Sequence, residues 1–176
     1  MSALLTLIRV LAKPGARQGR LETDGLSLHC ALGRGGPVAD KREGDGGTPL
    51  GDWPLRQLHY RADRGGAPLT ALPSRPIGRL DGWCDDPADP AYNRPVRLPY
   101  PASHETMWRE DGLYDLVVEL GYNDDPVLPG KGSAIFLHIA RADYAPTEGC
   151  VALAEADLRR LLARCGSETI LRVELA

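Results

Sequence analysis

Short apolar and β-branched stretches recur along the chain, and they predict a fold built mostly from strands. In the stretch 26–31, Leu28 and Cys30 alternate with polar Ser27 and His29, which is typical of a strand with one buried face. Asp24-Gly25 precedes it and favours a hairpin turn. The predicted strands are 4–10, 20–22, 26–31, 53–60, 113–120, 134–139 and 169–175.

Helical periodicity is strong in one place only. In the segment 154–165, Leu158, Leu161 and Leu162 share one side, and Gly166 follows as a stop signal. A shorter helix is predicted over 103–110. The segments 33–52 and 72–101 are predicted to be long irregular loops, which in a compact domain usually serve function. The pattern therefore predicts a mostly β (α+β) fold with a C-terminal helix.

Length and charge narrow the class of protein. The chain has 176 residues, which predicts a single domain over 1–176. Its 21 Lys and Arg residues against 24 Asp and Glu residues give a net charge of −3. Nucleic-acid binding usually requires a strongly basic face, so a nucleic-acid partner is not expected.

The chain shows no apolar window long enough for a membrane helix, so no membrane span is expected. Its first residues, Met1 to Lys13, include a short apolar run interrupted by Arg9 and lack a small-residue cleavage site. This stretch is therefore expected to be a strand and not a signal peptide.

Four cysteines, at positions 30, 84, 150 and 165, include no CxxC pair, which argues against a zinc ribbon or a thioredoxin-type site. No metal or other cofactor is expected. Cys150 differs from the other three in its setting, because it follows Gly149 and precedes the predicted helix.

The segment 132–162 carries the strongest chemical signal. A predicted strand ends near His138, and after a loop Thr147-Glu148-Gly149-Cys150 leads toward the helix. A helix dipole and a nearby histidine would both favour the thiolate of Cys150. Gly149 permits a sharp bend that directs backbone amides at a developing oxyanion. Taken alone, each residue is more often structural than catalytic.

This segment resembles the catalytic region of the YkuD-like L,D-transpeptidases, in which a strand-borne His precedes a Ser/Thr-His-Gly-Cys motif. A second match is Thr48-Pro49-Leu50-Gly51, which resembles the TPxG turn of the family. The resemblance implies a YkuD-like mixed β-sandwich or curved sheet. It also implies that Cys150 attacks a peptidoglycan stem peptide and transfers the acyl group to an acceptor amine.

The resemblance also implies roles for individual residues. Cys150 would be the nucleophile, His138 the general base, and the Ile139 carbonyl the group that orients His138. The amides of Gly149 and Cys150 would form the oxyanion hole. Family members act on the cell wall, which implies a location in the periplasm or cell envelope.

Two departures concern substrate recognition. Glu148 stands where the family has a second His, and Ala152 stands where it has Arg or Asn. The loop from His138 to Cys150 is also shorter than usual. A proteobacterial subgroup with a similar motif joins L-Ala at stem position 1 to meso-diaminopimelate at position 3, and this 1,3 cross-link is the preferred interpretation.

Further substrate-binding candidates lie near this motif. Thr147 belongs to it, and Glu148 either turns away from the thiol or binds a substrate amine. Arg141 and Tyr144 lie in the loop and are suited to a carboxylate and a ring face. Tyr122 follows a predicted strand. Surface loop residues without function are an equally good interpretation of Arg141 and Tyr144.

Two other functions remain open at this point. The changes at Glu148 and Ala152 also fit a catalytically impaired module that binds peptidoglycan. A cysteine peptidase or amidase would use the same nucleophile but transfer the acyl group to water. The oligomeric state is not predicted.

Overall fold

The computed structural model describes residues 3–176, which form fourteen strands and one helix. The strands are β1 (Leu7–Ala12), β2 (Gln18–Thr23), β3 (Leu26–Ala31), β4 (Pro37–Val38), β5 (Thr48–Pro49), β6 (Gly51–Tyr60), β7 (Ser74–Pro76), β8 (Asp81–Cys84), β9 (Pro95–Arg97), β10 (His104–Thr106), β11 (Leu116–Leu120), β12 (Phe136–Ile139), β13 (Val151–Leu153) and β14 (Ile170–Leu175). The helix α1 spans Glu155–Leu162. The predicted fold class, mostly β with a C-terminal helix, is confirmed.

Nine strands form one sheet in the order β11-β12-β13-β3-β2-β1-β14-β6-β7. An additional pairing of β11 with β6 curls this sheet until it closes on itself. The first strand, β1, pairs in parallel with the last, β14, so the two ends of the chain meet in the same sheet. A separate three-stranded sheet has the order β10-β8-β9.

The two faces of the closed sheet pack against different neighbours. Leu137 and Ile139 of β12 belong to the larger core cluster, which also contains the apolar side of α1. Phe136, two residues before His138, belongs to a second cluster that includes Trp83 of the three-stranded sheet. Because side chains alternate along a strand, His138 shares the face of Phe136 and is directed toward the three-stranded sheet.

One predicted element is wrong. Residues 103–110 were expected to form a helix, but His104–Thr106 form β10, which pairs with β8 in the register Glu105 to Trp83. Strand pairing satisfies the backbone of this segment, and such long-range pairing overrides a weak local helical preference.

The two predicted loops also contain short strands. The segment 33–52 includes β4 and β5, and the segment 72–101 includes β7, β8 and β9. These strands are two to four residues long, which is too short for hydrophobic periodicity to reveal.

Candidate active site

A cavity of about 380 Å³ opens between the closed sheet and the three-stranded sheet. One side, here called the nucleophile wall, consists of His138, Cys150 and Ala152 from β12, β13 and the turn before it. A second side, here called the acidic wall, consists of Glu105 from β10 and Asp85, which directly follows β8 of the three-stranded sheet. Other polar side chains at the cavity are Glu43, Arg109, Tyr114, Ser133, Arg141, Thr147 and Glu148.

His138 is buried in the nucleophile wall, and its Nδ1 lies 2.8 Å from the carbonyl oxygen of Ile139. A carbonyl only accepts hydrogen bonds, so Nδ1 carries the proton and Nε2 keeps a free lone pair. Burial lowers the pKa of His138 to about 4, against which the bond to Ile139 acts only partly. The imidazole is therefore neutral at pH 7 and is a proton acceptor through Nε2.

Cys150 is also buried, and its thiol lies between two backbone groups, one at the start of β12 and one in the segment that precedes it. Its Sγ donates to the Ala134 carbonyl at 3.3 Å and accepts from the Phe136 amide at 3.4 Å. Burial, assisted by the charge of Glu105, raises the pKa of the thiol to about 12. The resting cysteine is therefore a thiol and not the thiolate that its sequence setting predicted.

The helix does not supply the expected dipole. Strand β13, Val151–Leu153, separates Cys150 from the start of α1 at Glu155. Three extended residues span about 10 Å, whereas the dipole acts within about one helical turn. In addition, α1 packs on the larger core cluster while Cys150 lies in the second one. The prediction that the helix lowers the thiol pKa is wrong.

The turn that presents Cys150 is fixed by Thr147. Its hydroxyl donates to the Cys150 carbonyl at 2.7 Å and accepts from the Gly149 amide at 3.1 Å. The Cys150 amide, in contrast, donates to no acceptor among residues 3–176. Thr147 therefore supports the turn, and one of the two expected oxyanion donors already has a partner.

Gly149 adopts a φ of +138°, a conformation that L side chains rarely adopt. A Cβ at this position would lie 2.8 Å from the Gly47 carbonyl oxygen. A Cβ on Gly33 would lie only 2.0 Å from the Gly46 carbonyl oxygen and 2.8 Å from the Gly149 Cα. The glycines therefore allow the segment 33–51 to approach the backbone of the cysteine turn closely and to support that turn.

Glu148 turns away from the thiol, one of the two arrangements expected for it. Its side chain is 77% exposed and accepts from Arg34 Nε at 2.8 Å. Arg34 also donates to the Gly44 carbonyl, and its amide donates to the Thr147 carbonyl. The pair therefore ties the cysteine turn to the glycine-rich segment at the cavity rim.

The remaining predicted substrate residues lie in different places. Arg141 is exposed at the cavity rim. The Tyr144 ring packs edge-on against His29 at 4.5 Å between centroids, and the Tyr122 ring packs edge-on against Trp53 at 4.9 Å. Neither tyrosine lines the cavity that contains Cys150. The structure thus brings together His138, Cys150, Arg141, Thr147 and Glu148 but not the two tyrosines.

Sequence reasoning missed the acidic wall and the tyrosine beside it. Tyr114 donates from its hydroxyl to Glu105 Oε2 at 2.6 Å, and its ring meets the His138 ring edge-on at 5.3 Å. Arg109 lies 4.8 Å from the centroid of the same ring. No spacing in the sequence connects Glu105 to His138, and the predicted helix over 103–110 concealed the strand that places Glu105.

Within residues 3–176, no group of His, Cys, Asp and Glu side chains has the arrangement of a metal site. The one helix in the same range is too short to span a membrane.

A curled, mostly β domain with a cysteine and a histidine on one cavity wall defines a class of candidate acyl-transfer enzymes. The family comparison makes this specific, because residues 12–174 match the L,D-transpeptidase catalytic domain family YkuD. The chain belongs to this family, whose members are acyltransferases that act on peptidoglycan and are typically found in the cell envelope. A comparison with curated proteins found no match.

Proposed function

We propose that this protein is a peptidoglycan L,D-transpeptidase that works through an acyl-enzyme on Cys150. The observation that carries the proposal is the placement of His138 and Cys150 on one wall of one cavity. The register pairs His138 with Ala152, two residues after Cys150, on neighbouring parallel strands. His138 lies in the sheet and Cys150 in the turn directly before β13, which favours accurate positioning of a nucleophile and its base.

In the first half-reaction the Cys150 thiol gives its proton to His138 Nε2 as sulfur attacks the peptide carbonyl. The C–S bond forms, the peptide C–N bond breaks, and His138 returns the proton to the leaving amine. The Cys150 amide, which has no acceptor in residues 3–176, is the available donor for the oxyanion. The Ile139 carbonyl keeps the imidazole in the tautomer that this step requires.

We propose further that the acyl donor is unusual for the family and that the product is the 1,3 cross-link. Ala152 pairs with His138 and lines the cavity with a methyl group, and the family's Arg or Asn is absent there. Glu148 is held outward by Arg34, so the second histidine of the family has no equivalent beside the thiol. Both changes support altered recognition of the donor stem.

A binding module remains the competing function, because one observation favours it. The resting thiol is buried and protonated, which is also what a structural cysteine shows. Slow alkylation of Cys150 would fit either function, because the thiol is deprotonated only when a substrate is attacked. The acyl-enzyme itself must therefore be observed.

The test uses purified protein incubated with tripeptide and tetrapeptide disaccharide muropeptides, with Cys150→Ala as the control. We expect an acyl adduct on the intact protein and a cross-linked dimer, both absent from Cys150→Ala. Fragmentation of the dimer identifies L-Ala or diaminopimelate as the donor, and a diaminopimelate donor would overturn the 1,3 assignment. Cleavage without dimers would indicate a peptidase, and no adduct at all would favour the binding module.

A further inference from the structure

The transfer half-reaction has a requirement that the cysteine and histidine do not meet alone. An amine acceptor is an ammonium ion at neutral pH, and its nitrogen has no lone pair until a proton leaves. In the proposed mechanism His138 Nε2 already exchanges a proton with the Cys150 thiol, and it is needed again when the tetrahedral intermediate collapses. With a second base beside the thioester, the acceptor could bind as an ammonium ion and then react as a neutral amine.

Glu105 lies where such a base is needed. Strand β10 places it on the acidic wall, in the same cavity as Cys150 and His138. Its Oε2 accepts the Tyr114 hydroxyl at 2.6 Å, whereas its Oε1 accepts no hydrogen bond from residues 3–176. Oε1 also keeps contact with the cavity, because it is not among the unpartnered atoms that are sealed from solvent. One carboxylate oxygen is therefore fixed and the other is free for a ligand.

The surroundings of Glu105 raise its pKa, which makes its carboxylate a better proton acceptor. Burial raises its pKa above the ordinary value, and the charges of Asp85 and Glu43 act in the same direction. The Tyr114 hydroxyl and the Arg109 guanidinium act in the opposite direction. A base whose pKa is closer to that of the amine takes its proton more effectively.

The other carboxylates of the cavity are less suited to this role. Glu43 Oε2 accepts from both the Tyr92 hydroxyl at 2.5 Å and the Ser133 hydroxyl at 2.7 Å, so it serves to hold two segments together. Glu148 is exposed and paired with Arg34. Asp85 Oδ1 is sealed from solvent without a partner.

We propose that Glu105 binds the ammonium group of the acceptor and removes its proton in the transfer half-reaction. The inference rests on the proposed function, since it concerns the second step of the same reaction. It assigns the acidic wall to the acceptor and leaves the nucleophile wall to the donor. The substrate class that it requires is a primary amine that is charged in solution.

Glu105 takes one proton from the ammonium ion and becomes a neutral carboxyl group. The freed amine attacks the thioester carbon, forming a C–N bond, and a second proton passes from nitrogen to His138. The C–S bond then breaks, sulfur takes the electron pair, and His138 returns its proton to Cys150. Glu105 finally releases its proton to water.

The experiment separates the two half-reactions. The acyl-enzyme is first formed from the tetrapeptide muropeptide and freed of excess donor. Tripeptide muropeptide is then added, and loss of the acyl adduct and formation of the dimer are followed by intact-mass spectrometry over pH 5–9. Glu105→Gln is compared with the wild type and with Glu168→Gln, a matched change at an exposed position outside the cavity.

We expect Glu105→Gln to form the acyl-enzyme at least as fast as the wild type, because the Glu105 charge that raises the thiol pKa is gone. We expect it to transfer the acyl group at least about 100-fold more slowly. The rise of the transfer rate with pH should flatten in this variant. Hydroxylamine is unprotonated at pH 7 and needs no base to become a nucleophile. It should therefore release the acyl group from Glu105→Gln and wild-type enzyme at similar rates.

Each alternative outcome has a distinct meaning. Normal transfer by Glu105→Gln to the muropeptide acceptor would overturn the inference while leaving the proposed function intact. Slow release by hydroxylamine as well would assign Glu105 to the shape of the site and not to proton transfer. Failure of the wild-type protein to form an acyl-enzyme would overturn the proposed function and, with it, this inference.

Discussion

The two walls of the cavity are built in different ways. On the nucleophile wall, the side chains of His138 and Cys150 are bonded to backbone groups of residues 134, 136 and 139. On the acidic wall, Glu105 is bonded to the side chain of Tyr114, which lies nine positions away in the turn before β11. One wall is therefore set by strand geometry and a turn, whereas the other depends on the packing of two sheets.

This difference has consequences for the chemistry. A backbone partner does not titrate, so the Ile139 carbonyl holds His138 in one tautomer while burial keeps the imidazole neutral. Side-chain partners respond to charge, and burial raises the pKa of both Glu105 and Tyr114. The acidic wall is therefore suited to taking a proton from the acceptor amine, and the nucleophile wall is suited to forming the acyl-enzyme.

The largest effect is expected on the nucleophile wall, where loss of His138 should slow the first half-reaction. His138→Ala should lower the rate of acyl-enzyme formation by about 10²–10⁴-fold, because it removes the base that accepts the thiol proton. The rate is measured by intact mass under single-turnover conditions, with a thermal melt to show that the fold persists. Wild-type acylation by a folded His138→Ala protein would remove His138 from the mechanism.

A backbone change should damage the nucleophile wall next most strongly. Gly149→Ala places a Cβ 2.8 Å from the Gly47 carbonyl oxygen at a residue with φ +138°. We expect a loss of about 1–3 kcal/mol in the free energy of unfolding, measured in urea. Gly130→Ala is the matched control, since its φ is +80° but its Cβ meets nothing within 4 Å. Equal losses in the two variants would show that close approach at Gly149 is unimportant.

The acidic wall should respond to the loss of one hydroxyl. Tyr114 stabilises the Glu105 carboxylate, so Tyr114→Phe should raise the Glu105 pKa further. Because the carboxylate is the active form, the pH at which transfer rises should move upward. Transfer at pH 7 should fall by up to about tenfold, the value of one such hydrogen bond. Acylation should change little, and a pH profile that stays in place would contradict this role.

The smallest effect is expected for the carboxylate at the rim. Glu148→Gln removes an exposed ion pair with Arg34, and such pairs contribute about 0–1 kcal/mol to stability. We expect acylation and transfer to stay within about threefold of wild type. Measured beside Glu105→Gln, this variant shows whether the loss of transfer is specific to Glu105 among the cavity carboxylates. A large loss of transfer would shift the acceptor site from Glu105 toward Glu148.

Much of the fold could be predicted because its longer strands carry their own pattern. The predicted strands 26–31 and 169–175 differ from β3 and β14 by at most one residue, and the helix lies within its predicted range. Strands of two to four residues, such as β8 and β10, carry too little periodicity to be recognised. The error over 103–110 arose from local preference, which says nothing about a partner strand distant in sequence.

The sequence by itself determined the family and the segment that carries His138 and Cys150, because both residues lie in one short stretch of the chain, on either side of a single loop. Only the tertiary structure decided the charge states in the resting site, since burial raises the pKa of the thiol and lowers that of the imidazole. It also decided the acidic wall. Glu105, Tyr114 and His138 meet through the packing of one sheet on another, and no local pattern records such a contact.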